Sequence, residues 1–130
     1  MRIVICGSMS SIRDMVAVKK KLLQRNHRVT LPKTLDGETD HESTKNKIEH
    51  DLIRGYFKEI ESADAVLIVN VEKRGIPSYI GGNSFLEMAF AHVLNKKIFL
   101  LNDIPDMIYT DEIEAMQPVA LNGDFSKIEN

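Results

Sequence analysis

At 130 residues, with 43% hydrophobic and 28% charged side chains, the chain is long enough to bury one core and too apolar for disorder. A formal net charge of −2 offers no basic field to a nucleic acid, and the Lys19-Lys20-Lys21 run falls in helical sequence, where it reads as a solvated face. No apolar run approaches the roughly 18 residues of a membrane span, and the single cysteine, Cys6, excludes a disulfide framework and fits a reducing, cytoplasmic setting.

In chain order, Ile3-Val4-Ile5-Cys6 is a short continuous apolar run, the signature of a strand buried on both faces, and Cys6 within it reads as a buried structural thiol. The sequence enters this strand without the pattern of a secretory leader. Ser11 and Asp14 have capping-box spacing, and Ile12, Met15, Val18, Leu22 and Leu23 follow at helical intervals, which predicts a first helix to about Asn26. Val29-Thr30-Leu31 before Pro32 is a second strand, and the charged stretch from Lys33 to Glu42 is a loop. A second helix is expected from Ser43 or Thr44, with Ile48, Leu52, Tyr56, Phe57 and Ile60 as its buried stripe. Ala65-Val66-Leu67-Ile68-Val69 is the clearest strand, and a glycine-bearing connection from Asn70 to Asn83 leads into an apolar helix from Ser84 to Asn95. Ile98 to Leu101, a short helix from Asp111 to Met116 and a last strand at Val119-Ala120-Leu121 complete the series.

Strict alternation of strands and helices predicts one α/β domain over residues 1–130, without internal repeats. Its architecture is a three-layer αβα sandwich around a five-stranded parallel sheet in the flavodoxin-like order 2-1-3-4-5. Such a sheet takes ligands at the carboxyl ends of its strands, at the point between strands 1 and 3 where the order reverses. The loops flanking that point, Gly7 to Ser11 and Asn70 to Asn83, are also the richest in glycine and small polar residues.

The first loop combines Gly7, Ser8 and Met9 with further hydroxyls at a helix N-terminus, which suits a phosphate or a sugar edge and equally suits a tight turn before a capped helix. It is neither a Walker loop nor G-x-G-x-x-G. In the second loop, Gly81 and Gly82 allow amides to approach a ligand and Asn83 is a good N-cap. The helix that follows holds one formally charged residue, Glu87. A carboxylate in so apolar a helix either faces a cavity, where it can serve as nucleophile or base, or complements the helix dipole at the surface. Asn70 at the end of strand 3 can hold a ligand or brace its loop, and Tyr79 can stack on a base or cover the site. His92 lies off the Glu87 face and reads as a core or rim residue. His27, His41, His50 and Cys6 have no metal-ligand spacing, so no metal and no cofactor is expected. A phosphoacceptor receiver is excluded, because Gly7 and Asn70 stand where it needs carboxylates.

Three segments, I-C-G-S-M at 5–9, A-D-A-V-L-I-V-N at 63–70 and G-G-N-S-F-L-E-M-A-F-A at 81–91, together resemble the nucleoside 2-deoxyribosyltransferase-like superfamily, which includes the deoxynucleoside 5′-monophosphate N-glycosidases. The resemblance covers residues 2 to 105 and implies that the Glu matching Glu87 attacks C1′ of a 2-deoxyribonucleoside, releases the base and holds a covalent intermediate that a second base or water resolves. It also implies a homodimer or larger assembly, in line with apolar side chains such as Met15 and Phe57 expected near surfaces. Two positions depart from the family: Tyr56 stands where an Asp is usual, and Gly81 where Asp or Ser is usual. The expected partner is thus a small-molecule nucleoside or nucleotide, cleaved or transferred at its N-glycosidic bond through Glu87. A non-catalytic nucleotide-binding or sensor protein on the same fold is the alternative. A flavin-type mononucleotide binder is a third option, opposed by the absence of Trp and the presence of only Tyr79 to stack on the ring.

Overall fold

The computed structural model of the chain describes residues 1–32, 48 and 51–129. Five strands, β1 (Arg2–Cys6), β2 (Arg28–Thr30), β3 (Ala65–Ile68), β4 (Lys97–Leu100) and β5 (Val119–Ala120), form one sheet. Every pairing is parallel and the order is β2-β1-β3-β4-β5, as the alternation predicts. Among the described residues, the α-helices α1 (Ile12–Gln24), α2 (Leu52–Glu61), α3 (Gly82–Val93) and α4 (Thr110–Ala115) connect and flank them.

Alternate side chains of the central strands sort to the two faces. Ile3, Ile5, Leu67 and Phe99 join Met15, Val18 and Leu22 of α1 in one core, closed by Phe125 and Ile128 near the C-terminus. Val4, Cys6, Val66, Ile68, Ile98 and Leu100 join Ile60, Met88, Ala91 and Ile113 of the other three helices in the second. β1 and β3 are buried along almost their whole length, which is why their sequences are continuous apolar runs and not alternating ones.

Several local expectations are corrected. Ser11 precedes α1 without a side-chain cap bond, so the capping box with Asp14 does not form. A 3-10 turn at Met9–Ser11 intervenes and holds Ser11 at ψ 18°, away from the extended conformation a capping residue needs. The predicted start of the second helix near Ser43 and the loop before it lie outside the described residues. Ile48, expected in the buried stripe, is 75% exposed, and Asp51, which precedes α2, has a left-handed backbone (φ 47°) that does not continue an α-helix. Met15 is completely buried and Phe57 packs edge-on against Phe90, so neither marks an apolar surface; Ile108 and Val93 are the most exposed large hydrophobic side chains among the described residues. Among the described residues, no helix is long and apolar enough to cross a membrane.

Candidate active site

At the carboxyl edge of the sheet, Cys6 of β1 lies beside Ile68 of β3, and the chain continues from them into Gly7 and Val69. The amide of Val69 donates to Cys6 O at 2.8 Å, which holds the two strand ends together as they open into their loops. A β-carbon at Gly7 would stand 3.1 Å from Met15 Sδ and 3.5 Å from Val69 Cβ, so glycine lets the first loop turn tightly over the sheet edge. Ser8 opens the 3-10 turn: its Oγ accepts from Ser10 N at 3.4 Å and shares a 2.9 Å bond with Ser10 Oγ. Met9 is half-buried against the α1-side core.

The second loop is longer and more elaborate. Asn70 is fully buried and braces it: Nδ2 donates to the carbonyls of Ser78 (3.4 Å), Asn102 (3.2 Å) and Asp103 (2.9 Å), while Oδ1 accepts from Asn102 N at 2.9 Å. Beyond it the chain folds into a small hairpin bridged between Lys73 and Ile76, with Arg74 (φ 56°) and Gly75 (φ 78°) at its tip. Two successive positive φ angles are the geometry that suits a two-residue hairpin, and Glu72 supports the tip by accepting from Gly75 N at 2.7 Å. The hairpin carries Lys73 across to the first loop, where Nζ donates to Ser8 Oγ at 2.9 Å and lies 5.9 Å from the Tyr79 ring centroid. Tyr79 in turn rests against Gly81, where a β-carbon would come within 3.3 Å of its ring.

Together the two loops enclose a cleft of about 260 Å³ lined by Gly7, Ser8, Ser11, Val69, Val71, Lys73, Arg74, Tyr79, Gly81, Gly82, Asn83 and Ser84. Six of the residues singled out from the sequence, Gly7, Ser8, Tyr79, Gly81, Gly82 and Asn83, therefore meet in one place. Met9, Asn70 and Glu87 are not among the lining residues. Ser11, one of the first-loop hydroxyls, lines the cleft too; Lys73, Arg74 and Ser84 line it and were not singled out, and adjacent cations in a loop at the carboxyl edge were the available signal for the first two. Gly81, and not Asn83, is the N-cap residue of α3, so Asn83 sits in the first turn. His92, at the far end of the same helix, is exposed.

The earlier start of α3 also moves Glu87 out of its first turn, which contains no acidic residue. The helix dipole acts mainly on the first turn, so dipole compensation does not account for Glu87. Its half-buried side chain instead reaches the end of β1, where its carboxylate hydrogen-bonds with the Cys6 thiol. Burial pushes the Cys6 thiol well up, and the neighbouring Glu87 carboxylate and its hydrogen bond raise it further. Tyr56 of α2 completes the group. Its hydroxyl donates to Ile5 O, and burial, then Cys6 and Glu87, hold the phenol well above its ordinary range. Asp64, within the second resembling segment, lies at the opposite, amino edge, where Oδ2 accepts from Arg2 N at 2.7 Å. No group of three or more His, Cys, Asp or Glu residues able to hold a metal ion occurs among the described residues.

No family model and no curated protein matches the sequence. Solved structures do. A 2-deoxyribosyltransferase from Bacillus psychrosaccharolyticus superposes with a TM-score of 0.61 at 14% identity, over 98% of this chain and 95% of its own. The CMP N-glycosidase BcmB of Clostridium botulinum superposes with a TM-score of 0.53 at 12% identity, over 94% of this chain and 90% of its own. The chain thus has the flavodoxin-like α/β fold of these two proteins across nearly its full length, in keeping with the resemblance read from the three sequence segments.

Proposed function

We propose that the chain cleaves or transfers at the N-glycosidic bond of a nucleoside or nucleotide, with Glu87 as nucleophile. The observation that carries this reading is the position of Glu87: the one acidic side chain of α3 reaches the carboxyl end of the central strand at Cys6, immediately before cleft-lining Gly7. A Glu87 oxygen attacks C1′ and the bond from C1′ to the base nitrogen breaks. The electron pair leaves with the base, which takes up a proton, and water or a second base then displaces the carboxylate from C1′. Gly7, Ser8, Tyr79, Gly81, Gly82 and Asn83 shape the pocket, with Met9 behind the first loop and Asn70 holding the second in place. Two proteins that share the fold, a 2-deoxyribosyltransferase and a CMP N-glycosidase, make this bond the natural one to test first.

One observation favours a non-catalytic nucleotide-binding protein instead. Tyr56 occupies the position that carries an Asp in the superfamily the sequence resembles, and its hydroxyl is committed to Ile5 O, so it cannot position a sugar as a carboxylate would. Incubation with a panel of nucleosides and 5′-monophosphates, with chromatography for released base, decides between the two. Base release that disappears in Glu87→Gln is the expected result; binding without release from any substrate establishes the alternative.

A further inference from the structure

Cys6 is the single cysteine of the chain and is completely buried at the end of β1, where a thiol is ordinarily a small apolar filler. Two observations set this one apart. The first is its acceptor. The thiol has one proton and two acceptors in range: the Val4 carbonyl at 4.0 Å, a long contact even for sulfur, and the Glu87 carboxylate. A hydrogen bond to an ionised oxygen is about twice as strong as one to a neutral carbonyl, so the proton goes to Glu87. The second is placement. Cys6 stands one residue before Gly7, Glu87 stands one helical turn after Ser84, and Gly7 and Ser84 both line the cleft. The thiol and the carboxylate thus join β1 to α3 just behind the cleft wall. The end of β1 is itself pinned, since Val69 N donates to Cys6 O at 2.8 Å and the Tyr56 hydroxyl donates to Ile5 O.

We infer that Cys6 is a positioning residue for Glu87: its S–H holds one carboxylate oxygen and fixes the rotation of the group, so that more of the Glu87 conformers can attack C1′. A glutamate needs such a hold. Its carboxylate turns about a terminal bond with only a broad, roughly two-fold preference, so the backbone of α3 does not fix the plane in which its lone pairs point. The thiol has no other part in the reaction. It is closed off from any substrate, and burial beside a carboxylate keeps its proton in place, which rules out a thiolate nucleophile. No bond at sulfur is made or broken, and the proton stays on sulfur throughout. The role rests on the proposed N-glycosidic chemistry for what Glu87 then does; the bond between thiol and carboxylate stands without it.

Two measurements on the whole chain test it. The infrared S–H stretch reports the bond directly, and with one cysteine in the sequence its band needs no assignment. Glu87→Ala, a change that favours the helix, removes the acceptor and moves the band to higher frequency as the thiol falls back on the distant Val4 carbonyl. In the kinetics, Cys6→Ala lowers kcat for base release about 10- to 100-fold with KM nearly unchanged, because a carboxylate held less well attacks less often. Cys6→Ser restores a donor and recovers most of the loss. A purely structural thiol predicts the opposite order, since alanine suits an apolar core better than a hydroxyl does. Thermal midpoints of both variants confirm that folded protein is being compared. An S–H band in the same place with and without Glu87 overturns the inference whatever the kinetics. Wild-type kcat in Cys6→Ala, or Cys6→Ser no faster than Cys6→Ala, overturns it and leaves the Glu87 chemistry standing. A band that shifts in a protein that releases no base from any nucleoside or nucleotide does the reverse: it removes the chemistry, and the positioning role with it, and leaves the bond.

Discussion

The two faces of the sheet bury the same kinds of side chain and do different work. Against α1, the central strands present Ile3, Ile5, Leu67 and Phe99, and Met15, Val18 and Leu22 fill the space between; the cluster is hydrocarbon and thioether throughout. The opposite face is equally buried along β1 and β3, but at its carboxyl end the core holds a thiol, and the helices above it bring a phenol and a carboxylate to the same spot. Polar groups at such depth reduce stability unless they bond to one another, as Cys6 does with Glu87 and Tyr56 with Ile5 O. The comparison teaches that one face supplies the cohesion that lets the other carry chemically useful groups.

The largest effect that separates the faces is expected at Glu87. Glu87→Gln lowers base release about a thousandfold or more, while the thermal midpoint moves little, since the amide is nearly isosteric and still accepts from a thiol. A mutant that turns over like wild type removes Glu87 from the mechanism. Leu22→Ala is the converse experiment on the α1 face: chemical denaturation shows a loss of about 2–5 kcal/mol from a fully buried position, with unchanged base release per folded molecule.

Asn70 sits where the comparison is sharpest, at the end of β3 between core and cleft. Asn70→Ala leaves the carbonyls of Asn102 and Asp103 and the amide of Asn102 without their partner, and costs about 1–3 kcal/mol in denaturation. If Asn70 instead served mainly to contact ligand, affinity would fall and stability would not.

The smallest effect is a pH dependence confined to the α2/α3 face. The folded Cys6 thiol and Tyr56 phenol keep their protons at a pH where the unfolded chain loses them, so alkali favours unfolding. The thiol contribution is intact below its unfolded pKa, about 8.5, and is lost above it by at most about 1.4 kcal/mol per pH unit, with Tyr56 adding its share above about pH 10. Cys6→Ala removes the earlier decline and keeps the later one; identical alkaline profiles for the two proteins would refute this assignment.

The fold was legible because its signals are local and redundant. Continuous apolar runs at Ile3–Cys6 and Ala65–Ile68, separated by helical periodicity, leave few alternatives to a parallel sheet, and the 2-1-3-4-5 order follows from standard connection rules. The switch point of the strand order and the composition of its two loops together brought Gly7, Ser8 and Gly81 to attention, and they do border one cleft. Element ends were less legible: α3 starts at Gly82 and not Ser84, because the N-cap depends on backbone angles at Gly81 that no residue preference fixes.

The sequence by itself determined the layers, the strand order and the edge of the sheet at which the loops gather, since each depends on periodicity and chain connectivity. Only the tertiary structure decided what meets what there. That Glu87 reaches Cys6 and not the helix dipole, that Asn70 bonds to a loop thirty-odd residues away, and that a two-residue hairpin tip carries Lys73 to Ser8 are contacts between distant segments. Their energies depend on distance and burial in three dimensions, and the pattern of residues along the chain records neither.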